Sequence, residues 1–81
     1  MDTIRDIVPK PDMTLQIVFT DGVEGTFDVQ PYLTDEAFEA LKDPEEFMKL
    51  HNGGYFVEWE CDADLSADTL RARMQVLSNA A

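Results

Sequence analysis

The sequence predicts an α+β domain: a small antiparallel sheet, built as a three-stranded meander plus a second hairpin, with short helices in the middle and a C-terminal helix packed on the sheet. Three observations carry this. Met13, Leu15, Ile17 and Phe19 alternate with Thr14, Gln16, Val18 and Thr20 and run into Asp21-Gly22. Asn52-Gly53-Gly54 precedes a second alternation, Tyr55, Val57 and Trp59 against Phe56, Glu58 and Glu60. Ser66 precedes Leu70, Met74 and Leu77 at helical spacing. A period of two places side chains on the two faces of a strand, whereas residues four and seven apart share one face of a helix.

Taken in order, "TIRDIVP" (residues 3–9) reads as a short strand, which Pro9 and Pro11 confine to an edge or a turn approach. Residues 13–20 form the clearest strand, with four large apolar side chains on one face. Asp-Gly then predicts a tight type I′ turn, since both central residues of that turn need positive φ. The return strand is Val23 to Val29, with Val23, Phe27 and Val29 facing one way, and Pro31 closes it.

In "TDEAFEALKD", Thr34 is the expected N-cap of a short helix that points Phe38 and Leu41 to one side. A second helix start follows, with Asp43 as cap, Pro44 at the first helical position and Glu46 completing a capping-box pattern before Phe47. The second hairpin is expected over roughly residues 48–60, with residues 52–55 as its turn and His51 opposite Phe56. Ser66 caps the last helix, whose Leu70, Met74 and Leu77 cover the sheet.

The 81 residues leave room for one domain, 1–81, with no linker, repeat or low-complexity tract. Seventeen acids against six bases give a net charge of −11. That charge repels phosphate backbones and anionic lipid, so neither nucleic acid nor a membrane surface is an expected direct partner. The acidity is uneven: residues 1–65 carry sixteen acids and four bases, a net of −12, and residues 66–81 carry a net of +1. One cysteine cannot form an internal disulfide, and the N-terminus lacks the basic start and apolar run of a signal peptide. No stretch approaches the ~20 apolar residues of a membrane span. A cytoplasmic protein is expected.

The candidate chemistry is thin. Asp62, Asp64, Ser66 and Asp68 fall at positions one, three, five and seven of a calcium loop, but position six is Ala67 where glycine is needed and position twelve is Arg73 where a bidentate glutamate should bind. An acidic turn leading into a capped helix explains the same residues. Cys61 and His51 are the only nucleophile-and-base pair, and the expected hairpin sets them about 16 Å apart at ~3.3 Å per residue, against the roughly 3 Å that such a pair needs. No phosphate-binding loop, zinc spacing or nucleophile motif is present. The expectation is therefore no catalytic residue, no metal and no cofactor, and a protein that is not an enzyme. Trp59 shares a strand face with Val57 and reads as core, whereas Tyr32, beside Pro31, reads as an exposed aromatic. Glu58 and Glu60 should face water with Asp62 in the following turn. Tyr32, Glu58, Glu60 and Asp62 are thus the candidate partner-binding residues.

"LQIVFTDGVEGTFDVQPYL" (15–33), "LKDPEEF" (41–47) and Trp59 followed by "DLSADTL" (64–70) together resemble a bacterial family known as domain of unknown function 2442. The family pattern has Pro-Asn-Gly or similar after the tryptophan, where this chain has Glu60-Cys61-Asp62, so the local acidity and Cys61 are particular to this chain. The resemblance implies no established activity. Longer members resemble fusions to a helix-turn-helix, and short members look like one half of two-gene arrangements with another small protein. The resulting expectation is a non-enzymatic interaction module, an antitoxin-like or regulatory partner of a small basic protein. The alternative is a ligand- or subunit-sensing regulatory domain related to helix-turn-helix regulators, and the sequence leaves self-association open.

Overall fold

A computed structural model describes residues 2–78. The α+β class holds, as two antiparallel sheets with short helices between and after their strands. The first sheet has the order β1 (Ile4–Pro9), β2 (Thr14–Phe19), β3 (Glu24–Asp28) and β7 (Gln75–Ser78). The second contains β4 (Leu50–Asn52), β5 (Phe56–Trp59) and β6 (Asp64–Ser66). Between the sheets lie 3₁₀ turns at Gln30–Tyr32 and Glu36–Lys42 and the single-turn helix α1 (Pro44–Phe47), while α2 (Ala67–Arg73) links β6 to β7.

The meander obeys its period of two: Leu15, Ile17 and Phe19 are buried while Thr14, Gln16 and Val18 lie on the other face. These residues join Phe27, Val29, Leu41, Phe47, Val57, Trp59, Leu70 and others in one hydrophobic cluster that spans both sheets. Each fully buried side chain of this size contributes roughly 1.5–3 kcal/mol of transfer free energy.

The turns differ from expectation in an informative way. The amide of Gly22 donates to the carbonyl of Phe19 (2.9 Å), and that of Phe19 to the carbonyl of Val23 (2.9 Å). Only Gly22, at φ 88°, has positive φ. This is a three-residue loop, a type I turn closed by a left-handed residue, and not the type I′ turn that Asp-Gly suggests. The same bonding recurs twice. Met13 donates to Lys10 (3.1 Å) while Lys10 donates to Thr14 (2.8 Å), and Asp62 donates to Trp59 (3.0 Å) while Trp59 donates to Ala63 (2.8 Å). Met13 at φ 66° and Asp62 at φ 73° occupy the position that Gly22 occupies in the first loop.

Several boundaries need correction. Asp35, not Thr34, caps the first central helix, its Oδ1 accepting from the Ala37 amide at 2.9 Å, and the helix is 3₁₀. That geometry suits Phe38 and Leu41, because residues three apart eclipse and both reach the core. Asp43 caps α1 by accepting from Glu45 N–H (3.0 Å), but Glu46 does not reach back to close a capping box; its Oε1 accepts from Lys49 Nζ (3.2 Å). In the second hairpin His51 stands opposite Glu58, and Tyr55 lies before the strand, 57% exposed. Gly54, at φ 83°, turns the chain there, and the Tyr55 carbonyl accepts the first amide of α2 (2.8 Å).

The last helix is also shorter than expected. Ser66 caps it, accepting from Thr69 N–H at 3.1 Å, but α2 stops at Arg73 and residues 75–78 pair with β3. Leu70 and Met74 are buried as expected, whereas Leu77 is exposed on β7. Gly25 makes the crossing close: a Cβ there would sit 2.5 Å from Met74 Sδ and 2.9 Å from the Gln75 carbonyl oxygen. The meander therefore gains a fourth strand, and the second hairpin gains a third in β6.

Asn52 joins the two sheets. Its Nδ2 donates to the carbonyls of Ile4 (3.1 Å) and Arg5 (3.3 Å), and its Oδ1 accepts from Gly54 N–H (2.8 Å). Arg5 is the extra residue of a bulge in β1, where the register jumps between Ile4 and Asp6. The Asn52 side chain thus satisfies carbonyls that the bulge removes from the ladder.

Candidate interaction surface

The second sheet buries Val57, Trp59 and Leu65 and presents His51, Phe56, Glu58, Asp64 and Ser66 outward. Its inner side is fixed by Trp59, whose Nε1 donates to the Phe47 carbonyl (2.9 Å) while its ring stacks on Phe47 at 6.0 Å. With Trp59 and Val57 anchored inward, pleating forces Glu58 outward. Its direct neighbours across the sheet are His51 on β4 and Asp64 on β6. Two carboxylates directly opposite repel each other, a destabilising pair by about 0.2–1 kcal/mol.

Glu60, Cys61 and Asp62 form the loop between β5 and β6. Glu60 and Asp62 are exposed, and Cys61 is half-buried against the core. The surface continues onto α1. Lys49 is pushed above its ordinary value by the hydrogen bond to Glu46, with Glu60 and Glu45 adding to the attraction. One lysine therefore lies within the field of three carboxylates from two elements. Glu45, Glu46, Glu58, Glu60, Asp62 and Asp64 make an acidic belt whose nearest cation is already engaged.

Glu58, Glu60 and Asp62 are held on this surface together, as their adjacency in sequence requires. Tyr32 is not part of it, nor is it an exposed aromatic. It is half-buried, tilted over Phe27 at 5.4 Å and edge-on to Phe38 at 5.8 Å, and its hydroxyl accepts from Arg73 Nη1 (3.0 Å). Its two aromatic neighbours supply the reason, since an amphipathic ring buries its face and keeps its hydroxyl bonded. Sequence reading missed Glu45, Glu46 and Asp64, which join the belt through folding contacts. Their only local signal is the density of acids around a single lysine.

The reach between His51 and Cys61 also changes. With His51 opposite Glu58, Cys61 is three residues farther along, roughly 10 Å at ~3.3 Å per residue, still beyond a nucleophile–base contact. Among the described residues no three His, Cys, Asp or Glu side chains converge as a metal site. No helix among the described residues is long and apolar enough to cross a membrane.

One apolar notch opens between the β1–β2 loop and α1, lined by Lys10, Pro11, Met13, Pro44, Phe47 and Met48, with a volume of about 240 Å³. Pockets for small organic ligands run from about 300 to 1,000 Å³. The notch is the size for one side chain.

No curated protein and no solved structure matches this chain in the comparisons made. A family described as "Protein of unknown function (DUF2442)" matches residues 4–75, from the first residue of β1 to the first of β7. With nearly the whole fold inside that match, the chain belongs to the DUF2442 family.

Proposed function

We propose that this protein is a non-enzymatic interaction module that binds a basic protein through the acidic belt of its second sheet, in the manner of an antitoxin-like or regulatory subunit. The observation that carries the reading is the cross-strand pair of Glu58 and Asp64, two carboxylates set directly opposite each other on the outward face of the sheet, with Glu60 and Asp62 exposed in the adjoining loop. Like charges directly opposite destabilise a sheet. A repulsion kept on an exposed face is a mark of a surface shaped by recognition.

A basic partner fits because the belt's carboxylates outnumber the cations near them, and such complementarity speeds encounter and suppresses wrong partners. The Met-lined notch at the edge of α1 would seat one apolar side chain of that partner, since unbranched thioethers adapt to what they receive.

The test is retention from a lysate of the native host on immobilised protein, comparing wild type with a variant carrying Glu58→Gln, Glu60→Gln, Asp62→Asn and Asp64→Asn. One basic protein held in stoichiometric amount by wild type, released by salt and absent from the variant, supports the reading. Its retention by both refutes the belt, and an empty matrix with folded bait refutes the partner.

A further inference from the structure

We propose that the outward face of the second sheet holds a binding site for one arginine side chain of the basic partner, built from the ring of Phe56 and the carboxylates of Glu58 and Asp64. The proposal rests on the reading of the acidic belt and deepens it, because it names the residue type through which a partner engages that belt.

The site starts from the ring. Phe56 lies on the outward face of β5 and is 38% exposed. Gly53, on the neighbouring chain, fixes how it lies. A Cβ built on Gly53 would sit 2.4 Å from Phe56 Cζ and 2.6 Å from each of its two Cε atoms. Near-equal distances to three ring atoms put that point over the face of the ring and not at its edge. The ring therefore lies flat across the glycine, one face on the backbone and the other turned to solvent.

Two carboxylates stand beside it. Glu58 is two residues along the same strand, about 6.6 Å at ~3.3 Å per residue, and shares the outward face. The Trp59 amide donates to the Ala63 carbonyl (2.8 Å) and the Ala67 amide to the Tyr55 carbonyl (2.8 Å), which makes Glu58 and Asp64 a non-hydrogen-bonded pair of the ladder, the kind whose side chains stand closest. Among the described residues no cation pairs with either carboxylate. Arg5, Arg71 and Arg73 are engaged elsewhere, with Asp6, Asp21 and Tyr32.

The first sheet holds the same constellation filled from within. Arg71 lies over Phe19, its guanidinium carbon 5.0 Å from the ring centroid. Its two terminal nitrogens donate to Asp21 at 3.3 and 3.0 Å, and Nη1 also to Asp2 at 3.4 Å. There too the ring and the first carboxylate are two residues apart in the chain, and a second carboxylate adds to the attraction. On β5 the chain supplies the ring and the carboxylates, and the guanidinium comes from the partner.

Geometry selects arginine over lysine. A planar guanidinium resting on the open face of Phe56 keeps its N–H groups in its own plane, at the height to which Glu58 rises from the sheet, so stacking and forked donation occur in one pose. An ammonium is a point charge and has no flat face to stack.

The experiment is an NMR titration of the isotope-labelled full chain with two blocked peptides of equal charge, Gly-Arg-Gly-Arg-Gly and Gly-Lys-Gly-Lys-Gly, up to about 10 mM, a range that reaches weak ligands. The arginine peptide should bind at least about threefold tighter, the scale of an exposed cation–π contact, and should move the amides of Phe56, Glu58 and Asp64. Phe56→Leu, which keeps an apolar cover on Gly53, should bring the arginine peptide down to the lysine value, and Glu58→Gln should weaken both peptides. Equal affinities for wild type overturn the arginine site and leave the acidic belt standing, whereas no shift on the second sheet with either peptide overturns both. An arginine preference that survives Phe56→Leu, in a variant shown by circular dichroism to be folded, overturns the stacking, and an arginine affinity unchanged by Glu58→Gln overturns the fork. If Phe56→Leu does not fold, the peptide signals with wild type decide: the arginine δ-methylene must shift upfield in the ring current of Phe56, and an unmoved signal overturns the proposal.

Discussion

Replacing Asp62 by glycine should make the protein more stable, and the size of the gain can be worked from the three hairpins that turn through three-residue loops. All three close with a residue of positive φ: Met13 at 66°, Gly22 at 88° and Asp62 at 73°. A left-handed residue with a Cβ is disfavoured by about 1–2 kcal/mol, with Asp toward the lower end because its short polar side chain tolerates this region. Glycine removes that term and adds about 0.5–1 kcal/mol of backbone freedom to the unfolded chain. With Asp at about 1 kcal/mol, the net gain is at most about 0.5 kcal/mol. For 81 residues the unfolding entropy is about 0.17 kcal/mol/K, so Tm should rise by up to about 3 °C. Asp62→Gly also removes a charge next to Glu60, and Asp62→Ala provides the control, since it removes the same charge and keeps the Cβ. Thermal melts followed by circular dichroism, backed by urea titration, should place the alanine variant about 0.5–1 kcal/mol below the glycine variant. If the two variants melt together, the gain is electrostatic and the backbone argument is wrong.

Gly25→Ala should destabilise by about 1–3 kcal/mol in urea titration, because the new methyl meets Met74 Sδ at 2.5 Å and the Gln75 carbonyl at 2.9 Å. An unchanged midpoint would mean that the joint between α2 and β7 moves without resistance. Asn52→Ala should cost about 1–3 kcal/mol by orphaning the carbonyls at the β1 bulge, and Asn52→Asp, which keeps only the acceptor for Gly54, should fall no closer to wild type than halfway. Asp21 is held below its ordinary value of 3.8 by the Arg71 hydrogen bond and then by the Val23 amide. Its contribution is therefore present above that value and lost as the pH falls through the depressed one. Asp21→Asn should melt at lower temperature than wild type near neutral pH and lose less between about pH 5 and pH 2; parallel losses would refute the linkage.

What was legible in the sequence was local. The β2–β3 meander follows from alternation and one Asp-Gly, and Asp43 and Ser66 cap the helices they precede, because both signals act within a few residues. The type of turn was not legible, since Asp-Gly serves a two-residue I′ loop and the last two positions of a three-residue loop equally well. The register of the second hairpin failed for the same kind of reason: two glycines and an asparagine offer several loops, and the choice falls to Asn52 bonding to β1, 47 and 48 residues away. Leu70, Met74 and Leu77 fit one helical face, yet the open edge of β3 takes residues 75–78 as a strand, a demand made by distant chain that no local period encodes. At the candidate surface Glu58, Glu60 and Asp62 were visible as a run. Their union with Glu45, Glu46 and Asp64 depends on strand pairing and on Lys49.

The distribution of unfavourable features supports reading that surface as functional. On the outward side of the first sheet the cross-strand pairs are Thr14 with Asp28, Gln16 with Thr26 and Val18 with Glu24, none of like charge, and Glu24 accepts from Gln16 Nε2 at 2.6 Å. The second sheet sets Glu58 against Asp64. Its neighbouring helix crowds Glu45 and Glu46 onto a lysine shared with Glu60. A chain that arranges one sheet without electrostatic conflict could arrange the other so with a few neutral residues. A like-charge pair on this sheet, absent from the comparable one, points to a demand that folding alone does not make, and binding an oppositely charged protein is the demand that would relieve it.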